Sequence, residues 1–188
     1  MTSKASPRIS YLPDSIVSAL VAPAGTTAVA LHLSASKTLR LRNSKTKLTA
    51  DGLFAFRRGT DLTCVAIQAE KTTGQNPSAL LGKALLALLC HEPISHVMVD
   101  VSALPGPKKG SRGPTPTRPK ADRTPVHRLA VVFLYDKKDR KVGTCVNDLI
   151  TSLRSFRILP NLYLQAFAVN PANPGVATST VQAFVSTL

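Results

Sequence analysis

Apolar and polar residues alternate along much of the chain with the period of short β-strands. In residues 37–42, Leu39 and Leu41 would face a core, while Arg40 and Arg42 would lie on the opposite face. Runs rich in Val, Leu, Ile, Phe and Thr, bounded by turn residues, predict further strands. These are residues 27–33, 53–57, 62–69, 95–102, 128–135, 162–169 and 179–186. The pattern therefore predicts eight short strands.

Two segments have a helical pattern instead. Residues 77–89 place leucines and alanines on one side after Pro77, a residue that suits a first helical turn. Residues 144–153 predict a second short helix. Turn residues, such as Gly59-Thr60, separate the strands at intervals that suit antiparallel pairing. The predicted fold is mainly β, an eight-stranded antiparallel jelly roll or sandwich with two short helices.

The predicted organisation is a flexible N-terminal arm followed by one β domain. Prolines interrupt residues 1–24, in which residues 15–21 could form one or two helical turns. Residues 25–188 would form the domain. Within it, residues 105–125 combine six Lys or Arg with one Asp and frequent Pro and Gly. Such a segment favours a long basic loop over a helix or an inner strand.

Net charge is the property of the composition that says most about the kind of partner this protein binds. Lys and Arg number 24 against 10 acidic residues, a formal net charge of +14. This excess favours an anionic partner, and nucleic acid is the usual one; an anionic membrane surface is the alternative. The candidate nucleic-acid-binding residues are Lys37, Arg40, Arg42, Lys45, Lys47, Arg57, Arg58, Lys108, Lys109, Arg112, Arg118, Lys120 and Arg123.

These basic residues favour phosphate neutralisation over base recognition. The chain has no Trp, and few aromatic residues lie among the basic clusters, so a stacking platform is poorly supported. Neutralised phosphates release counterions, which makes such binding salt-sensitive and largely independent of sequence. A further basic cluster lies at Lys137, Lys138, Arg140 and Lys141.

Catalytic and metal-binding patterns are weak. Cys90 and His91 with His96 would need a fourth ligand to hold zinc, so the expectation is no metal and no cofactor. Asp100 with a histidine is the residue pair that a nuclease would use, but a solvent-facing strand position is the favoured interpretation of Asp100. We therefore expect a protein that is not an enzyme. Three widely spaced cysteines indicate reduced thiols in a cytosolic setting.

The second half of the chain resembles a known family. Residues 95–105 resemble a strand ending in a Leu-Pro turn in the coat proteins of cucumoviruses and bromoviruses. A strand at 127–135, a helix at 148–153 and a strand pair at 162–169 and 178–186 follow, an order that is similar to the end of small plant-virus jelly-roll coat proteins, including those of tymoviruses.

The resemblance implies a capsid protein that self-associates into a shell around single-stranded RNA, located in the virion and the host cytoplasm. One departure matters, because those coat proteins often carry an Arg-rich arm, whereas residues 1–36 hold only Lys4 and Arg8. RNA contacts would then fall to residues 37–58 and 108–128. The alternative hypothesis is a viral matrix or movement protein that binds RNA, an anionic membrane, or both.

Overall fold

The structure, a computed structural model, describes residues 9–31, 37–42, 47–70, 94–102, 121–156 and 160–188. Within these ranges the chain forms nine strands and three α-helices. The strands are β1 (Thr27–Ala28), β2 (Thr38–Leu41), β3 (Lys47–Thr49), β4 (Gly52–Arg58), β5 (Asp61–Glu70), β6 (Val97–Ser102), β7 (Ala121–Pro125), β8 (Arg128–Asp136) and β9 (Leu162–Val169). The helices are α1 (Leu12–Ala19), α2 (Arg140–Phe156) and α3 (Pro174–Val185), with short 3-10 turns at Ile9–Tyr11 and Ile94–His96.

The larger sheet is mixed and has the strand order β1-β4-β5-β8-β9. Strands β4 and β5 form an antiparallel hairpin, closed by the predicted turn at Gly59, whose φ of 59° suits glycine. However, β5 pairs with β8 in parallel, and β8 pairs with β9 in parallel across the α2 crossover. The mainly β class is confirmed, whereas the jelly roll is not, and the prediction of antiparallel pairing is wrong for these two pairs.

Burial explains why β5 and β8 accept parallel neighbours. The central residues of the two strands are buried, because helices cover one face of the sheet and the smaller sheet covers the other. Parallel strands are typically buried on both faces and have continuous apolar sequences instead of an alternation. The runs at 62–69 and 128–135 have this composition.

The smaller sheet is antiparallel and has the order β3-β2-β6-β7. Its edge strand β7 lies inside the segment 105–125 that the sequence assigned to a loop, so that assignment is wrong for residues 121–125. An edge position explains how this segment can pair despite Pro125, which cannot donate a ladder hydrogen bond. Residues 105–120 lie outside the described residues, as does the predicted helix at 77–89.

The first core lies between the two sheets. Leu39, Val97 and Val99 of the smaller sheet meet Leu129 and Phe133 of the larger one. Helix α2 closes this core with three side chains four residues apart, Val142, Val146 and Ile150. The helix is longer than the predicted 144–153, because the Asp139 carboxylate accepts a hydrogen bond from the Val142 amide and caps an earlier start.

The second core lies under a helical layer on the opposite face of the larger sheet, formed by residues 9–22 and 170–188. Buried side chains of α1 and α3 pack there on Phe56 and Val132. The arm predicted at 1–24 is therefore wrong from residue 9 onward, because Leu12 and Ile16 are buried. The strand predicted at 179–186 is wrong as well, since Ala177, Val181 and Val185 recur every four residues and define a buried helix face.

Candidate nucleic-acid interface

Two arginines from different sequence clusters meet at one carboxylate on the outer face of the smaller sheet. Asp100 occupies the middle of β6 and is paired in register with Arg123 on the edge strand β7. Arg40, on β2, lies across from Met98 and therefore diagonally from Asp100. The Arg40 Nε lies 3.3 Å from Asp100 Oδ2, and the Arg123 Nε lies 3.8 Å from Asp100 Oδ1.

The carboxylate is buried although it belongs to the outer face. The Asp100 side chain is only 9% exposed, against 26% for Arg40 and 70% for Arg123. The favoured interpretation of Asp100 as a solvent-facing residue is therefore wrong. The long stems of the flanking arginines can cover a short acidic side chain while their charged ends reach water. Oδ1 has no hydrogen-bond partner among the described residues, so the arginine charges are its main stabilisation.

The two ion pairs of the Asp100 carboxylate use the same nitrogen of each guanidinium group. Each arginine approaches Asp100 through Nε, the nitrogen nearest its stem. The terminal nitrogens, which form the planar fork that binds phosphate oxygens, lie further out. The carboxylate accepts a hydrogen bond from Arg40 Nε at 3.3 Å and attracts the Arg123 Nε across 3.8 Å, so it orients Arg40 more firmly than Arg123. We call Arg40, Asp100 and Arg123 the Asp100 cluster.

The longest basic segment of the sequence begins and ends beside this cluster. Strand β6 ends at Ser102, strand β7 begins at Ala121, and the two residues are paired in register. Residues 103–120 therefore connect two neighbouring strands at one end of the smaller sheet. They carry five Lys or Arg and no acidic residue. These five are Lys108, Lys109, Arg112, Arg118 and Lys120.

The other predicted residues are divided between the sheets. Lys37 lies beside β2 and pairs with Asp14 of α1 at 2.6 Å, so its charge is already partly neutralised. Arg42 is exposed just after β2, and its amide donates to the His96 carbonyl. Lys47 is paired with Arg40 in the β2–β3 register. Lys45 lies outside the described residues, as do the five basic residues of 103–120.

Arg57 and Arg58 belong to the larger sheet, so the structure separates them from the β2 residues with which the sequence grouped them. Arg58 is exposed at the hairpin end, which suits a role in binding. Arg57 lies directly opposite the buried Leu62, and its Nε is buried with no hydrogen-bond partner among the described residues. Arg57 is thus the weakest of the predicted contacts.

The excess charge is concentrated away from the described part of the fold. The described ranges hold thirteen Lys or Arg and nine Asp or Glu, a net charge of +4 out of the formal +14. The remaining +10 belongs to the other segments, and half of it to residues 103–120 alone. The described ranges are therefore close to charge balance, and the connection between β6 and β7 carries half of the net charge that lies outside them.

The described residues offer little for catalysis or metal binding. No group of three His, Cys, Asp or Glu side chains there could hold a metal ion, while Cys90 and His91 lie outside those ranges. Burial raises the pKa of the Cys64 thiol to about 12, so this thiol is protonated at neutral pH. Across the described segments, no helix is both long and apolar enough to span a bilayer.

The comparisons with known proteins add no assignment. No family model matches the sequence, and no similar curated protein or solved structure is found. Sequence reasoning identified Arg40 and Arg123 individually but missed that they converge. The one signal in the sequence was the isolated Asp100 in a mainly apolar strand; the positions of the two arginines beside it follow from the strand order of the smaller sheet.

Proposed function

We propose that this protein is a structural protein that binds single-stranded RNA by neutralising its phosphates and self-associates around it, as a viral capsid protein does. Its sites of action would then be the virion and the host cytoplasm. The observation that carries the proposal is the Asp100 cluster at the base of the basic β6–β7 connection. There, two arginines from distant parts of the sequence share one carboxylate, and the sequence between β6 and β7 carries five further basic residues.

The mechanism that we propose has a fixed part and an adaptable part. Arg40 and Arg123 present their terminal nitrogens from a rigid sheet, which lowers the entropy lost when a phosphate binds. The connection 103–120 supplies additional positive charge within a few residues of them. Phosphate contacts of this kind give affinity and orientation without base selection, as packaging of a whole RNA requires.

Salt dependence of binding to a short labelled single-stranded RNA tests the first half of the proposal. We expect a steep linear fall of log K with log salt, about 0.7 per neutralised phosphate. Replacing Lys108, Lys109, Arg112, Arg118 and Lys120 by Gln should flatten that slope. An unchanged slope in this variant would exclude the connection from the phosphate interface.

Electron microscopy of the purified protein with a long RNA tests the second half. We expect particles or large regular oligomers that dissociate at high salt. Binding of a short RNA with no assembly on a long one would refute the capsid role while leaving RNA binding intact.

The second candidate is a matrix or movement protein that binds an anionic membrane, and one observation favours it. Five basic residues fall in the sequence between β6 and β7, whereas residues 1–36 hold only Lys4 and Arg8, a distribution that also suits a lipid surface. Flotation with vesicles containing phosphatidylserine, without RNA, separates the two functions. Flotation that disappears in the five-residue Gln variant would support the membrane role.

A further inference from the structure

The helical layer is nearly free of charge, in contrast to the rest of the chain. Residues 158–188 contain no Lys, Arg, Asp, Glu or His, and residues 9–31 contain only Asp14. In a protein with 34 charged residues, this places two long uncharged segments side by side, since α1 and α3 pack against each other. Gln182 joins them, accepting from the Val21 amide at 2.8 Å and donating to the Val21 carbonyl at 3.0 Å.

Asp14, the one charged residue of the layer, and Arg128 beneath it both have partners within the chain. Asp14 pairs with Lys37 at 2.6 Å. Arg128, on the helix-covered face of β8, donates from Nη1 to the Leu188 carbonyl at 2.9 Å. The outward side chains of the layer are otherwise Ser, Thr, Ala, Val and other uncharged residues.

The same layer exposes most of the large apolar side chains found on the described surface. Four such residues are exposed, and three belong to the layer: Tyr11 at 71%, Val21 at 67% and Val176 at 67%. Isolated exposed apolar residues are ordinary, but their concentration on a charge-free surface is typical of a protein contact. An anionic lipid surface is a poor partner for it, because the layer offers no Lys or Arg of its own.

We propose that the helical layer is the surface through which one copy of this chain binds a second copy. The net charge of the chain favours this occupant. Two chains of net charge +14 repel each other, so a close contact between copies is favoured at a surface that lacks positive charge. The layer satisfies this condition on both sides of a symmetric contact. It also lies on the face of the larger sheet opposite the smaller sheet, which leaves the Asp100 cluster available for RNA.

The size of the layer predicts a weak contact. At 1.5 Å per residue, α1 and α3 are about 12 and 18 Å long. Two such helices side by side offer less than the roughly 800 Å² per partner of a stable dimer. We therefore expect assembly chiefly on RNA, where bound copies are held at high effective concentration. This inference rests on the self-association that the proposed function contains.

Sedimentation velocity of the full chain on a long single-stranded RNA tests the contact, using Val176→Lys and Val21→Lys. Asn147→Lys is the matched control, because Asn147 is an exposed residue of α2 and the charge increases equally. We expect both layer variants to shift the complexes toward singly bound copies, while the control assembles like the wild type. Thermal unfolding checks that each variant is folded.

A short RNA that holds one copy keeps the two proposals distinguishable. The three Lys variants should bind it with equal affinity, as well as the wild type does or slightly better. Equal assembly of the layer variants and the control on long RNA would overturn the inference and leave RNA binding intact. Absence of salt-sensitive binding of the wild type to the short RNA would instead overturn the proposed function. A wild-type protein that binds short RNA but never self-associates would also overturn the inference, and the layer would then serve a different protein partner.

Discussion

Replacing Asp100 by Asn sets two electrostatic effects against each other. The substitution removes one negative charge, so if charge alone governed affinity, the variant would bind RNA more tightly than the wild type. If Asp100 instead positions Arg40 and Arg123, the variant loses the negative charge that attracts the two Nε atoms, and binding weakens. We expect weaker binding, because Asp100 is buried between the arginines and contributes its charge mainly to them.

The size of the effect follows from the number of phosphates that the two arginines neutralise. Each phosphate of a single strand that is no longer neutralised lowers the salt slope by about 0.7, so one or two such phosphates lower it by about 0.7 to 1.4. If the variant and the wild type bind equally at about 1 M salt, this difference in slope makes the variant bind roughly 8- to 60-fold more weakly at about 50 mM. Stability should fall by less than the roughly 3–5 kcal/mol typical of a broken buried pair, because Arg123 is 70% exposed and its charge stays hydrated.

Fluorescence anisotropy with a short single-stranded RNA, titrated at several salt concentrations, measures the slope directly. Asp122→Asn is the control, since Asp122 is an exposed neighbour on β7 and the charge change is identical. The control should bind as well as the wild type or slightly better. If Asp100→Asn and Asp122→Asn gave the same slope and affinity, the positioning role of Asp100 would be refuted.

Three further predictions concern the fold. Phe133→Ala, in the fully buried centre of β8, should lower the free energy of unfolding by about 3–5 kcal/mol in urea, whereas Val176→Ala, at an exposed site, should change it by less than about 0.5 kcal/mol. Gly143→Ala should destabilise by about 1–3 kcal/mol, because the new Cβ would lie 2.7 Å from Tyr135 Cε2, while Gly175→Ala in open space on α3 should be neutral or stabilising in the same assay. The pKa of about 12 keeps the Cys64 thiol protonated at about pH 8. After treatment with an alkylating reagent at that pH, mass spectrometry should find Cys145 alkylated and Cys64 unmodified until denaturant is added. The raised pKa also makes Cys64 contribute stability that is lost as the pH rises above about 9.

Local sequence patterns predicted the strands correctly where interactions between neighbouring residues determine the structure. The alternation at 37–42 correctly placed Leu39 in the core and Arg40 on the other face, and turn residues located the β4–β5 hairpin. The prediction of strand direction failed because direction depends on partner strands that are distant in sequence. A buried run such as 128–135 has the same apolar composition whether its neighbours are parallel or antiparallel.

The helical layer was not predicted because its residue types favour a strand, whereas the spacing of its apolar residues fits a helix. Val, Thr and Ser in residues 179–186 favour a strand by propensity, but Val181 and Val185 lie one helical turn apart and pack on the sheet. For a related reason, only part of the candidate site could be predicted from the sequence. Composition located the basic residues, whereas their convergence on Asp100 depends on the β2–β6–β7 pairing, which the local sequence does not encode.

The pairing of α1 with α3 has a consequence for how the chain reaches its folded state. The hydrogen bonds between Val21 and Gln182 join residues 161 positions apart, so α1 can dock fully only when nearly all of the intervening chain has been made. Until then, Leu12 and Ile16 and the face of β4 and β5 beneath them have no complete cover. Contacts of such long range slow folding and expose apolar surface to other nascent chains. We expect synthesis to be the stage at which this protein is most prone to aggregate, and a delay in producing α3 to be more harmful than the same delay elsewhere.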